Sequence, residues 1–259
     1  MNSSAMLWCN GEQDRLDPNS LQGGIKKREE REIRTLMKLD NMFIIEFFGT
    51  FRYNGEMYIV TELCTHGTLN TLIDKHKCDQ TSISNGEIWK YLIQIMLGLH
   101  ELHTHSIVHF DIKPANIFLG EVNTIKIGDA GSAKELSEMH THTMEASTTY
   151  QYSAPEFFAN EQSRVLSYPF DLWSVGCVLY ELRFLHPPFT APDILNLATR
   201  IQSTDPDYPT GERDEFIGII ERLLDKNPET RMTMDEFFGL DVVQQKARQI
   251  GCQLPPRKN

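Results

Sequence analysis

Residues 171–185, DLWSVGCVLYELRFL, follow a helical pattern that is apolar almost all the way round. A helix without a polar face must be buried on every side, so this segment predicts the central helix of a large helical unit. Other helical patterns surround it in the sequence. Glu87 to His103 has a wide apolar face, and shorter patterns lie near 191–202, 212–224 and 233–239. Strand-like runs come earlier. Ile44 to Phe51 and Met57 to Thr61 flank Asn54-Gly55, a strong hairpin signal, and 107–129 reads as two short strands around a polar loop. Ahead of the hairpin, residues 26–39 predict a helix with Ile33, Leu36 and Met37 at i, i+3, i+4. This segregation of strands and helices predicts an α+β fold with a small β-containing part and a large helical part.

Charge and cysteine usage narrow the function classes. Lys plus Arg is 25 and Asp plus Glu is 36 in 259 residues, a formal charge of −11. That balance argues against a general nucleic-acid binder or a basic membrane-surface protein, because phosphate partners repel it. No segment reaches the ~18 apolar residues of a membrane helix. Residues 1–10 carry no positive charge, unlike a secretory signal. The five cysteines, at 9, 64, 78, 177 and 252, include no Cys-x-x-Cys and read as reduced thiols of a cytoplasmic or nuclear protein.

The chemistry concentrates in HFDIKPAN, residues 109–116, where Asp111, Lys113 and Asn116 stand at 0, +2 and +5. Eighteen residues past Asp111 lies Asp129, in Gly128-Asp129-Ala130-Gly131. Phosphoryl transfer needs a carboxylate at the attacking hydroxyl, a cation near the transferred phosphate and hard oxygen ligands for Mg²⁺. Asp111, Lys113, and the pair Asn116 and Asp129 are the candidates for these roles. Pro114 stiffens the loop. His100, His103, His105 and His109 crowd the same region, but they straddle a helix end and a turn with no Cys among them, so no metal site is expected there.

This run resembles the catalytic loop of eukaryotic protein kinases, and Asp129-Ala130-Gly131 resembles the metal-binding triplet that follows it. Further segments carry the resemblance in order. Ala154-Pro155-Glu156 is similar to the end of a kinase activation segment, Asp171-Leu172-Trp173-Ser174-Val175-Gly176 to the start of the buried central helix, and Asn227-Pro228-Glu229-Thr230-Arg231 to the late element whose Arg pairs with the Glu at position 156. Asp-x-Lys-Pro-x-Asn is the serine/threonine form. Asn116-Ile117-Phe118-Leu119 and His186-Pro187-Pro188-Phe189 most resemble NIMA-related kinases.

The resemblance implies a bilobal fold, ATP and Mg²⁺ as cofactors and a protein substrate or protein binding partner. It implies Asp111 as base, Lys113 as phosphate contact, Thr149 as the residue stabilising that pair, and Asn116 and Asp129 as metal ligands. It implies Glu32 as the regulatory-helix carboxylate, Thr61 as gatekeeper, Glu62 and Cys64 as adenine-side backbone and Phe118 beneath the adenine. The expected organisation is an irregular segment over 1–25, a partial N-lobe over 26–64, a C-lobe over 65–240 and a tail over 241–259.

Departures matter as much as matches. A Gly-x-Gly-x-x-Gly loop and a strand Lys normally contact the phosphates. Gly11, Gly23 and Gly24 are the glycines before Glu32, and their spacing fits no such loop. Lys26 and Lys27 fall in the same predicted helix as Glu32 and cannot come from a separate strand. Phe110 replaces the Arg that receives an activation-loop phosphate, and Ala130 replaces a bulky residue in the apolar column beside His109 and Leu36. Two functions are therefore expected as alternatives: a serine/threonine kinase with an uncovered phosphate site, or a pseudokinase acting as a protein-binding module. A misassembled transcript start, with a longer true chain, is a third reading.

Overall fold

The computed structural model describes residues 33–54, 56–121, 124–135, 150–159, 166–208 and 215–256. The expectations for 1–25, Lys26, Lys27, Glu32 and Thr149 lie outside them.

The described chain begins in a helical turn over 33–36, where Ile33 and Leu36 are buried. Met37, expected on the same apolar stripe, is 40% exposed, because the helix gives way to a turn at that residue. A hairpin follows: β1 (Phe47–Tyr53) pairs antiparallel with β2 (Glu56–Thr61), with Tyr53 opposite Glu56 across Asn54-Gly55. Asn54 has φ 52°, as the first loop position of a two-residue turn of this hand requires.

The strand expected from Ile44 is divided. Ile44 and Ile45 join the large part of the molecule instead. Ile44 forms a parallel bridge to Ile127, and the Ile45 N–H donates to the Ile127 carbonyl at 2.9 Å. This short pairing fastens the hairpin to the helical part.

Helix α1 (Leu69–Cys78) was not visible as a pattern; it starts in a reciprocal Thr68–Thr71 capping box and ends in Lys75, His76 and Lys77, which suit the negative end of its dipole. Helix α2 (Asn85–Thr104) opens with the Ser84–Glu87 capping box. Two-residue strands β3 (Ile107–Val108) and β6 (Lys134–Glu135) pair antiparallel, as do β4 (Ile117–Leu119) and β5 (Ile125–Ile127).

Helix α3 (Tyr168–Phe184) is the predicted central helix, and every residue from Phe170 to Leu182 is buried. It packs between α2 and α5 (Glu215–Leu223). Gly176 makes the second contact possible: a Cβ there would lie 2.8 Å from Leu224 Cδ2 and 2.9 Å from Leu223 Cβ. Helices α4 (Ile194–Ser203), α6 (Met234–Gly239) and α7 (Asp241–Gln249) complete the helical part. Among the described residues no helix is long and apolar enough to cross a membrane.

Candidate active site

The catalytic loop is held from beneath by α3. Asp171 is fully buried, and its carboxylate accepts three hydrogen bonds. The N–H groups of His109 and Phe110 donate to Oδ2 and Oδ1 respectively, both at 2.9 Å, and His103 Nε2 donates to Oδ2 at 2.9 Å. These bonds hold Phe110 at φ 63°, a left-handed conformation that a bulky residue adopts at a cost of ~1–3 kcal/mol. The next residue, Asp111, is thereby set in place. The His103–Asp171 pair was not anticipated. It joins residues 68 apart, and only the position of His103 at the end of α2 hinted that it faces inward.

Three hydrogen bonds from two donor groups fix the Asp111 carboxylate. Lys113 Nζ lies 3.0 Å from Oδ1 and 2.8 Å from Oδ2, and Asn116 Nδ2 donates to Oδ2 at 2.9 Å and to the Asp111 carbonyl at 2.9 Å. Asp111 and Asn116 are buried. With its amide nitrogen so used, Asn116 offers Oδ1, a hard acceptor, to a cation.

The peptide before Asp129 is pinned at both ends. The Gly128 N–H donates to the Asn116 carbonyl at 2.9 Å, and His109 Nε2 donates to the Gly128 carbonyl at 3.2 Å. The Asp111 N–H donates to His109 Nδ1 at 3.3 Å, so the partners assign the Nε2–H tautomer. Asp129 itself takes φ 55°, ψ 60° and opens a 3-10 turn over Ala130–Ser132. The two candidate metal ligands are thus tied to one another through backbone, and both are oxygen donors of the kind Mg²⁺ selects. His109, Leu36 and Ala130 are all buried.

The residues expected around adenine lie at the end of β2, just after it, and on β4. Thr61 ends β2, and its hydroxyl donates to the Glu62 carbonyl at 3.3 Å. The Glu62 N–H is spent on the Glu46 carbonyl at 2.9 Å, and the Glu62 carboxylate takes Lys126 Nζ at 2.6 Å and the Glu46 N–H at 2.8 Å. Burial and the Glu62 charge push the Cys64 thiol up from its ordinary value. Phe118, on β4, lies so close to Gly128 that a Cβ there would stand 2.7 Å from the ring. This contact couples the shelf expected beneath adenine to the peptide preceding Asp129.

The late motif is assembled as the resemblance implied. Arg231, 1% exposed, makes a two-pronged pair with Glu156, at 2.7 Å from Oε1 and 2.8 Å from Oε2. It also donates to the carbonyls of Pro169 at 2.7 Å and Asp225 at 2.9 Å. Of the remaining histidines, His105 contacts Glu101 and His100 meets the Phe238 ring edge-on. No cluster able to hold a metal forms from His, Cys, Asp and Glu alone among the described residues.

Comparison with known proteins agrees with this geometry. Residues 17–242 match the family model described as "Protein kinase domain". The chain belongs to the protein kinase family. The match starts nine residues ahead of the motif resemblance, which ran from 26. The chain is similar to "Probable serine/threonine-protein kinase nek2" of Dictyostelium discoideum, 32% identical over 228 residues, covering 84% of this chain and 53% of that protein. It is also similar to "Serine/threonine-protein kinase Nek5" of Mus musculus, 32% identical over 216 residues, covering 82% of this chain and 34% of that one. "Serine/threonine-protein kinase PLK1" of Xenopus tropicalis is 29% identical over 237 residues, covering 90% of this chain and 38% of the relative. The NIMA-related resemblance holds in these comparisons. The chain spans about half the length of one such relative and a fifth or less of others. Serine/threonine kinases of this family act on proteins and use ATP with Mg²⁺ generally.

Proposed function

We propose that this kinase-family chain transfers the γ-phosphate of Mg·ATP to Ser or Thr hydroxyls of a protein substrate. The observation that carries the reading is the Asp111 carboxylate, buried and fixed by Lys113 and Asn116 at 2.8–3.0 Å. An ionised carboxylate is acceptor-only, so Asp111 orients a hydroxyl and takes its proton. Lys113 sits at that carboxylate and supplies positive charge where the transferred phosphoryl develops negative charge. Asn116 and Asp129 would hold the metal. The Glu62 carbonyl and the Cys64 backbone would meet adenine with Phe118 beneath, since the Glu62 N–H is already committed within the protein. When bound, Mg·ATP supplies the phosphoryl group and the cation that neutralises it. By position, Thr149 and Glu32 complete the set. The lobes divide at about residue 64, and the reduced thiols fit a cytoplasmic or nuclear protein.

A second reading rests on a specific feature. The sequence holds no Gly-x-Gly-x-x-Gly loop, and the lysines ahead of Glu32, Lys26 and Lys27, stand only six and five residues before it. Without such a loop and a strand Lys the phosphates lose backbone donors and a cation, and a wetter site weakens every charge interaction. A pseudokinase that binds partners through the large lobe would tolerate that loss.

Calorimetric titration with Mg·ATP separates the two. The kinase reading expects binding that needs magnesium and weakens at least tenfold in Asp129→Asn, together with transfer abolished in Asp111→Asn. A folded protein that binds no Mg·ATP, or transfers no more than Asp111→Asn, overturns it and favours the binding module.

A further inference from the structure

Phe110 occupies the position just before Asp111, and its ring begins a chain of aromatic contacts that ends in the segment over 150–158. Its centroid lies 5.3 Å from Phe170 at an interplanar angle of 63°. Phe170 lies 6.4 Å from Phe157 at 67°. Phe157 in turn meets Phe158 at 5.1 Å and 90°, and Tyr150 at 5.9 Å. Edge-to-face geometry of this kind is attractive beyond simple burial, because the positive ring edge meets the negative face.

We propose that Phe110 is a positioning residue which couples the catalytic loop to the segment over 150–158 through this run of rings. The proposal rests on the kinase reading, in which Ala154-Pro155-Glu156 ends the activation segment. Two observations separate it from ordinary core packing. First, Phe110 is 2% exposed and held at φ 63° by its N–H bond to Asp171, so a shift of its ring acts on a backbone already in a costly conformation beside Asp111. Second, the far end of the chain carries polar bonds to the helical part as well as rings. Tyr152 donates to Glu181 Oε2 at 2.6 Å, Ser174 Oγ donates to the Tyr152 carbonyl at 2.8 Å, and Arg231 bridges Glu156 and the Pro169 carbonyl. Each of these anchors ties 150–158 to α3 or the residues beside it. The rings add an apolar route from that segment, through Phe170 of α3, to Phe110 beside Asp111. An apolar Phe110 does this by packing, with no charge to be met.

The test is amide hydrogen exchange on the full chain, which needs no catalysis. Phe110→Leu keeps an apolar side chain but removes the ring. Exchange over 150–158 is expected to quicken about fivefold, the loss of roughly one edge-to-face pair, while buried amides of α2 keep their rates. Phe157→Leu, at a half-buried position, is expected to quicken exchange over 109–113 in the same way. Unchanged exchange over 150–158 in Phe110→Leu overturns the coupling. So does a uniform quickening that includes α2, which would mark Phe110 as global packing alone. Where transfer is measurable, Phe110→Leu is expected to raise the KM for a peptide several-fold with Mg·ATP affinity unchanged. Coupled exchange in a chain that transfers nothing would refute the kinase reading and leave the coupling standing. Transfer with uncoupled exchange would do the reverse.

Discussion

Asp171→Asn is the substitution whose cost can be worked most directly. The carboxylate has two oxygens and receives three N–H groups: His109 and His103 at Oδ2 and Phe110 at Oδ1, each at 2.9 Å. An amide has one oxygen. If that oxygen takes the Oδ2 place, the amide nitrogen faces the Phe110 N–H, and a buried donor is orphaned at ~1–3 kcal/mol. The opposite orientation orphans two donors and is worse. The bonds that survive lose charge assistance, roughly 1 kcal/mol between them. The left-handed Phe110 also loses its restraint. The total is about 3–5 kcal/mol, in the far tail of single substitutions. Urea unfolding should show a large drop in midpoint at unchanged slope. His103→Phe supplies the internal comparison. It keeps a ring near Tyr168, 4.5 Å away in the parent, and removes one donor to a charged acceptor, about 1.5–3 kcal/mol. A loss below about 1 kcal/mol for Asp171→Asn, or a smaller loss than for His103→Phe, would refute the reasoning.

Three further outcomes are expected. Glu156→Gln removes the counter-charge of the buried Arg231, so stability should fall by about 3–5 kcal/mol, read from thermal or urea unfolding. Gly128→Ala drives a methyl to 2.7 Å from Phe118, which should cost about 1–3 kcal/mol and weaken Mg·ATP binding in the same protein. Lys226 lies 4.8 Å from the Trp173 ring centre and 4.4 Å from that of Phe189, and burial pushes its amine down to about 8. The unfolded chain keeps that proton to about pH 10.4, so it binds more protons between the two values and stability should rise with pH across that window. Comparison of the protein with Lys226→Met from pH 7 to 10 should isolate a rise on the order of 1 kcal/mol after solvent screening, and a flat difference would count against it.

What the sequence made legible was local or repetitive. Asp111, Lys113 and Asn116 fall within six residues, so their meeting follows from one tight loop, and the hydrogen bonds among them are as close as that loop suggested. The all-round apolar pattern of 171–185 led directly to a buried α3. Asn54-Gly55 placed the turn, but the strand before it was read too early. Ile44 and Ile45 have the same β character as Phe47 and Phe51, and nothing in alternation says that they pair with β5 while β1 pairs with β2. Helix α1 escaped because Leu69 and Ile73 are its buried residues, while Lys75, His76 and Lys77 mask the period. The supports of the site were the least legible. His103 meets Asp171 across 68 residues and Phe110 meets Phe170 from a distant part of the sequence, and such pairings depend on how α2 and α3 cross.

The way these supports are distributed separates two kinds of failure. Among the described residues, the hydrogen bonds given above that orient Asp111 and seat the peptide before Asp129 come from residues 103–171. In the kinase reading these bonds serve proton transfer, and a deficit in nucleotide binding need not disturb them. The two can be told apart in one pair of variants. Asp129→Asn changes a candidate metal ligand at the end of a peptide whose anchors, the Asn116 carbonyl and His109, remain, so it should weaken Mg·ATP binding with the urea midpoint nearly unmoved. Asp171→Asn removes the platform itself, so binding and midpoint should fall together. If Asp129→Asn also unfolded the chain, the metal-side carboxylate would be part of the scaffold, and the division argued from these hydrogen bonds would not stand.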